Sequence, residues 1–303
     1  MKKHLFFLLV LLCPLFAFGQ NVGIGLLSPS AKLEVEGEIK ADSLDVQSGL
    51  IKNVADPINA QDAATKAYVD VLEAQASVME AQVSVMNTIL LDAGYNGTVS
   101  DTEGNVYLTI KIGSQIWMAE NLNVGTMING SSSMIDNGTI EKYCYDDITA
   151  NCDIYGGLYQ WNEMMQYTTT ESIQGICPTG WHLPSDDEIK TLEMTLGMTQ
   201  AEADMTGYRG TDQGSQLGGN EPLWTDGSLD ENATFGSSGF TGLPGGYRHP
   251  SGSFANQSYY AYYWSSSESG GSAWNRDLYY LIPKVLRLGS PKSYGFSVRC
   301  VQD

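Results

Sequence analysis

The stretch Gly175-Ile-Cys-Pro-Thr-Gly-Trp-His-Leu-Pro-Ser-Asp-Asp-Glu188 constrains this chain more than any other. A cysteine, two prolines and a glycine turn lead straight into a helix start. Ser185 stands where a helix cap belongs, and Glu188, three residues on, completes a capping box. Asp186 and Asp187 place negative charge in the first turn, where the helix dipole favours it. Ile189, Leu192 and Leu196 follow at helical spacing, and Gly197 supplies the stop. The spacing predicts one short helix over 185–197, docked by its apolar face and tied down at Cys177 just before it begins. A partner for Cys177 is expected at the far end of the chain, in Tyr294-Gly-Phe-Ser-Val-Arg-Cys-Val301. Phe296, Val298 and Cys300 alternate there with Ser297, Arg299 and Val301, the pattern of a half-buried strand. A helix start bonded to the last strand would close a domain on itself.

The N-terminus decides how the cysteines are read. Met1 to Gly19 has the form of a secretory leader: Lys2 and Lys3, an apolar run from Leu5 to Leu12, then Ala17-Phe-Gly19 before Gln20. The run is too short to span a bilayer, and no later segment replaces it. Cys13 follows Leu12 rather than a small residue, so it does not fit a lipoprotein acceptor. Export to the medium, the cell surface or the periplasm is therefore expected. Losing Lys2 and Lys3 with the leader leaves 14 basic against 35 acidic residues, a net charge of −21. Such a surface repels nucleic acid and anionic membranes. Four cysteines remain, and in an exported protein they are expected to pair. Three connectivities are open. Cys144–Cys152, pinning a local loop, and Cys177–Cys300, joining distant segments, form the expected one. Structural zinc is the alternative, but no CxxC or HExxH spacing supports it.

Residues 20–93 differ in kind from the rest. They hold no tryptophan and one tyrosine, Tyr68, whereas all six tryptophans and the other sixteen tyrosines lie beyond residue 94. A boundary near Asp92-Ala-Gly-Tyr95 follows. Within the first part, Leu33 and Val35 alternate with charged residues, which predicts a short strand that needs partners, plausibly from other copies of the chain. Glu73-Ala-Gln-Ala-Ser-Val-Met79 is then repeated as Glu80-Ala-Gln-Val-Ser-Val-Met86. Val69, Leu72, Ala76, Met79, Val83, Met86 and Leu90 step alternately by three and four residues, a heptad seam. An isolated helix of this length is marginal in water, so a coiled coil over 69–92, roughly 33 Å long, is expected. Beyond residue 95 the chain is rich in glycine, serine and aromatics. Short alternating runs cover Val106 to Ile112, Tyr259 to Trp264, Ala273 to Ile282, Val285 to Leu288 and Ser293 to Val301. Helical pattern is confined to 185–197, Leu158 to Met165 and a weak turn after Thr199. The fold class is α+β, with an antiparallel sheet and long loops.

Several segments resemble known families. Asn53-Val-Ala-Asp-Pro-Ile-Asn-Ala-Gln-Asp-Ala-Ala-Thr-Lys-Ala-Tyr-Val-Asp70 is similar to a segment of phage tail-fibre and related trimeric stalk proteins, and Val22 to Gly37 resembles the opening of secreted bacterial fibre-like proteins. Residues 20–68 are thus a fibre-like N-terminal segment, and the resemblance implies a homotrimer. Asp101 to Asn123, Tyr155 to Glu163, Gly175 to Pro184, Leu243 to Arg248, Tyr263 to Glu268 and Gly295 to Asp303 resemble the Fibrobacter succinogenes major paralogous domain, in order, over 95–303. Ile189 departs from the pattern, where the family usually shows an aromatic. The resemblance implies a C-type-lectin-like head, related to the formylglycine-generating-enzyme fold. It brings no catalytic residues with it.

An enzyme needs a site, and none assembles in the sequence. His182, between Trp181 and Leu183 in a rigid turn, reads as structural. Ser265, Ser266 and Ser267 lack the Gly-X-Ser-X-Gly elbow of a serine nucleophile. The cysteines that formylglycine-generating chemistry would use have disulfide roles. A carbohydrate-active or maturation enzyme remains the runner-up, and a purely structural fibre protein a third reading. Asn220-Glu-Pro222 and Trp274-Asn-Arg-Asp277 faintly echo the ligands of calcium-dependent lectins, but Arg276 puts a cation among them; no cofactor and no metal residues are assigned. Tyr259, Tyr260, Tyr262, Trp264 and Arg276, beside a polar 248–258 loop, are the expected ligand-binding residues, for a glycan or a surface protein.

Overall fold

The computed structural model describes residues 22–24, 33–35, 66–92 and 94–303. The leader, and most of the fibre-like segment, lie outside the described residues. The chain divides into two compact units between Gln75 and Ala76, inside one long helix.

Leu33–Val35 is a strand, as its alternation predicts. It pairs in parallel with Val22–Ile24 of the same chain, so a second copy is not needed to give it a neighbour. The helix runs from Lys66 to Asp92 and contains the whole heptad seam. Val69, Leu72, Met79, Val83 and Met86 are all exposed along it. A second run, Val71, Val78 and Val85, repeats every seven residues and is exposed as well. No described helix is long and apolar enough to cross a membrane.

Residues 94–303 are α+β, built on three antiparallel sheets. In the first, Tyr95–Ser100, Val106–Ile112 and Gln115–Met118 form a meander, continued by Val301–Gln302 and then Trp181–His182. The last strand therefore sits between the first sheet and the turn that opens the helix. The second sheet orders Gly207–Arg209, Ile282–Pro291, Ser272–Tyr279 and Tyr260–Ser269; the third orders Phe254–Gln257, Gly245–Arg248, Gly295–Phe296 and Tyr159–Gln160. Among the described residues three apolar clusters fill the core, the smallest gathering Met134, Tyr143 and Leu158. Of the larger two, the first gathers Trp161, Trp181, Trp264 and Phe296. The second gathers Trp117, Ile189, Leu192, Phe240 and Tyr263.

The helix Asp186–Thr195 forms where its signals place it. Ser185 accepts from the Glu188 amide, and the Glu188 carboxylate accepts from the Ser185 amide at 2.8 Å, closing the capping box. Gly197 has φ +103°, a conformation that a side chain would strain. Thr199 and Glu202 close a second box on the one-turn helix Gln200–Ala203. Both expected disulfides are present, Cys144–Cys152 and Cys177–Cys300, with Cα separations of 5.0 and 6.0 Å.

Three expectations need correcting. Leu158 to Met165 is not one helix; Tyr159–Gln160 is a strand and only Trp161–Met164 is helical. The 293–301 segment is strand only at Gly295–Phe296 and Val301–Gln302, and Ser297 and Arg299 are as buried as Phe296 and Val298. Layers cover both sides of it, and the Arg299 guanidinium is satisfied by Asn121 Oδ1 and the carbonyls of Met118, Phe240 and Thr241. The 248–258 stretch is a hairpin rather than an open loop. Phe254–Gln257 pairs with Gly245–Arg248, and the buried Arg248 donates to the Gly130 and Ser132 carbonyls.

His182 clamps the chain terminus. Its ring nitrogens lie 2.7 Å from Glu188 Oε1 and 2.7 Å from Asp303 Oδ1. Burial pulls its pKa down, but the bonds to Asp303 and Glu188 outweigh that and leave it raised. Burial acts on Glu188 in the opposite sense and is likewise outweighed, by Ser185 and His182, so its pKa is lowered. A raised histidine contributes stability that is complete below its unfolded pKa and lost as pH rises through the folded one; the lowered glutamate loses its share on acidification. His182→Gln is therefore expected to flatten the alkaline limb of the melting temperature against pH, from about pH 6.5 upward. An unchanged alkaline limb would contradict the clamp.

Candidate ligand-binding face

Tyr260–Ser269 alternates between two layers. Ala261 and Tyr263 point into the second apolar cluster, and Tyr260, Tyr262 and Trp264 toward the first. Burial deepens along that second row. Trp264 is fully enclosed, with its Nε1 donating to the Tyr159 carbonyl at 2.9 Å. Tyr262 is buried, and its hydroxyl accepts from Asn256 Nδ2 at 2.8 Å. Tyr260 is half-buried and stacks on Tyr279 with centroids 4.3 Å apart. Tyr208, on the edge strand, is 39% exposed, and Tyr259 is 45% exposed against the edge of Tyr280. Burial raises the Tyr260 hydroxyl, with Tyr208 and Tyr279 adding to the effect, so it stays a neutral donor at ordinary pH.

The row continues onto the third sheet. Tyr262 meets Tyr247 edge-on at 5.2 Å, and Tyr247 contacts Tyr294 at 5.6 Å and His249 at 6.5 Å. Rings held against one another in this way present flat faces and hydroxyls that lose little entropy on binding.

Behind the row sits a buried acid. Asp277 pairs in register with Tyr262 and is almost wholly enclosed. Burial pushes it up to about 8, against the opposing effects of the Asn275 amide and Arg276. Its carboxyl is accordingly neutral at pH 7, accepting from Asn275 Nδ2 at 2.5 Å.

The five expected site residues separate into two groups. Tyr259, Tyr260 and Tyr262 belong to the face. Trp264 and Arg276 are buried, and Arg276 is committed to Asp186 Oδ1 and Glu193 Oε1, each at 2.8 Å. Tyr208, Tyr247, Tyr279 and Tyr294 join the face without having been expected. Tyr279 and Tyr294 carried a signal, each lying in an alternating run.

Nucleophile chemistry has no footing in the serine run. Ser265 Oγ donates to the Trp274 carbonyl, while Ser266 and Ser267 accept from the Ser172 and Asp186 amides. His182 has both nitrogens occupied, and His249 Nδ1 lies 2.7 Å from Ser251 Oγ. Among the described residues no three His, Cys, Asp or Glu side chains converge as metal ligands. Asn275 and Asp277, in the faint calcium echo, bond to each other inside the sheet.

No curated protein and no solved structure matches the chain. A family model, the Fibrobacter succinogenes major domain, matches residues 110–302, from the second strand of the first sheet to its closing strand. The chain belongs to the Fibrobacter succinogenes major domain family.

Proposed function

We propose that this is an exported, non-catalytic display protein, in which the long helix gathers copies of the chain and each C-type-lectin-like head binds a glycan or a surface protein. The observation that carries the reading is the row of tyrosines from Tyr208 to Tyr294, each packed against its neighbour with part of the row open to solvent. Such a face suits stacking on sugar rings or an aromatic-anchored protein contact. The two disulfides fit an oxidising compartment. The exposed heptad seam fits association, and the tail-fibre-like segment before it favours a trimer. Each head binds weakly because a shallow face buries little area, and several heads on one stalk add avidity.

A glycan array probed with the mature chain, with and without calcium, tests the reading. Tyr208→Ala and Tyr260→Ala are each expected to weaken binding about tenfold or more, with the fold intact by circular dichroism. Undiminished binding in both variants would remove the face from the account.

A further inference from the structure

A second site lies away from the tyrosine face, in a half-open cleft of about 270 Å³ beside the smaller disulfide. One wall is built by the turn before Val106–Ile112. Asp101 accepts there from the Glu103 and Asn105 amides and from the Tyr107 hydroxyl at 2.6 Å, and that hydroxyl accepts from the Asn123 amide at 2.9 Å. The opposite wall is the helix Thr149–Tyr155, pinned at Cys152 by its bond to Cys144 and carrying Asp153 and Ile154. Leu243 adds an apolar surface.

The polar groups of the cleft are short of donors. Glu120 spends one carboxylate oxygen on the Leu108 amide at 2.6 Å, leaving the other without a hydrogen bond among the described residues. Asp153 is exposed and makes no hydrogen bond among the described residues. The Asn123 side-chain oxygen is buried and has no partner there either. The nearby cations are already committed. Lys142 donates to the Asn123 carbonyl, and Arg299, behind Glu120, is spent on Asn121 and backbone carbonyls. Asp101, Glu103 and Asp153 all act on Lys142 and Glu120 acts on Arg299, so four carboxylates face two cations around the cleft. A buried acceptor without a donor is costly, and an occupant that brings donors and positive charge relieves it.

From this we infer that the cleft binds a hexosamine whose amino group is free. Its ammonium would lie between Glu120 and Asp153, and its apolar ring face would rest on Ile154 and Leu243. A linear amine would satisfy the charges and leave the apolar wall uncovered. The volume accommodates one ring rather than a long oligomer, so the site reads a terminal sugar.

Isothermal titration of the mature chain with chitotriose, with its fully N-acetylated counterpart and with cadaverine tests this. Chitotriose is expected to bind at least about tenfold more tightly than either of the others, and Glu120→Gln and Asp153→Asn are each expected to weaken it about tenfold. Glu120→Gln keeps an acceptor for the Leu108 amide, so the wall should stand; a preserved melting temperature checks that. Asp153→Asn is expected to weaken chitotriose by the same factor in a Tyr208→Ala background, which separates this site from the tyrosine face. Equal binding of the acetylated trimer or of cadaverine, insensitivity to Asp153→Asn, or no binding at millimolar chitotriose, the mark of a water-filled cleft, would each overturn the assignment.

Discussion

Replacing Glu193 with alanine is expected to cost the head about 3–5 kcal/mol. The Glu193 side chain is 0% exposed, and its oxygens accept from Arg209 Nη2 at 2.9 and 2.8 Å and from Arg276 Nε at 2.8 Å. Asp186 completes the cluster, taking Arg276 on one oxygen and Arg287 on both, at 3.0 and 2.6 Å. Burial raises the Asp186 carboxyl, but Arg287 and Arg276 outweigh it and hold the group well below the usual carboxylate range. Three guanidiniums thus share two buried carboxylates, and the Trp274 ring, 3.7 Å from Arg287, lends its face to the excess charge. Alanine at 193 leaves Arg209 and Arg276 enclosed with one carboxylate fewer, which is a far larger loss than that of a surface pair. Urea unfolding reads it directly. A loss below about 1 kcal/mol would mean that water reaches the arginines and that the cluster is not sealed. Replacing Glu193, Arg209 and Arg276 together by apolar residues of similar volume should cost much less, because nothing charged is then stranded.

The disulfides give the second large effect. Cys177–Cys300 spans 123 residues and Cys144–Cys152 spans 8. Chain entropy alone assigns them upper bounds of about 5 and about 2.6 kcal/mol. Cys300→Ser should therefore unfold at a markedly lower urea concentration than Cys152→Ser. The difference is widened by position: Cys300 lies within the tryptophan-rich core, where a serine hydroxyl finds little company. Reversal of that order would contradict the closing role of the longer bridge.

Local chemistry made much of this architecture legible. The Ser185–Glu188 box, the Gly197 stop and the alternation of Val106–Ile112 each depend on neighbours within a few residues. The disulfide pairing was legible because a local cysteine pair and a distant one divide the four thiols naturally. What escaped is what depends on distance in the chain. Arg276 looked like a surface residue because its partners, Asp186 and Glu193, lie 90 and 83 residues away. Arg299 and Ser297 looked solvent-facing because a segment covered on both sides carries polar groups here that are satisfied by remote carbonyls. The tyrosine face was half visible. Tyr260 and Tyr262 announce themselves in an aromatic run, whereas Tyr208 and Tyr247 reach the same surface only through sheet pairing. The hairpin at 245–257 was missed although Gly252, at φ +96°, sits in its His249–Ser253 turn; Asn256 in the second strand and Ser258 beyond it adopt positive φ without being glycine.

The central proposal, weak heads made effective by a shared stalk, is tested most directly by comparing the mature chain with its Met79→Asp/Met86→Asp double variant on one glycan array. Both methionines are exposed on the heptad seam, and neither belongs to the tyrosine face. Charge at both positions should separate the copies and lower array-bound signal about 10²–10⁴-fold, with head stability unchanged. Equal signal from the two proteins would contradict the account.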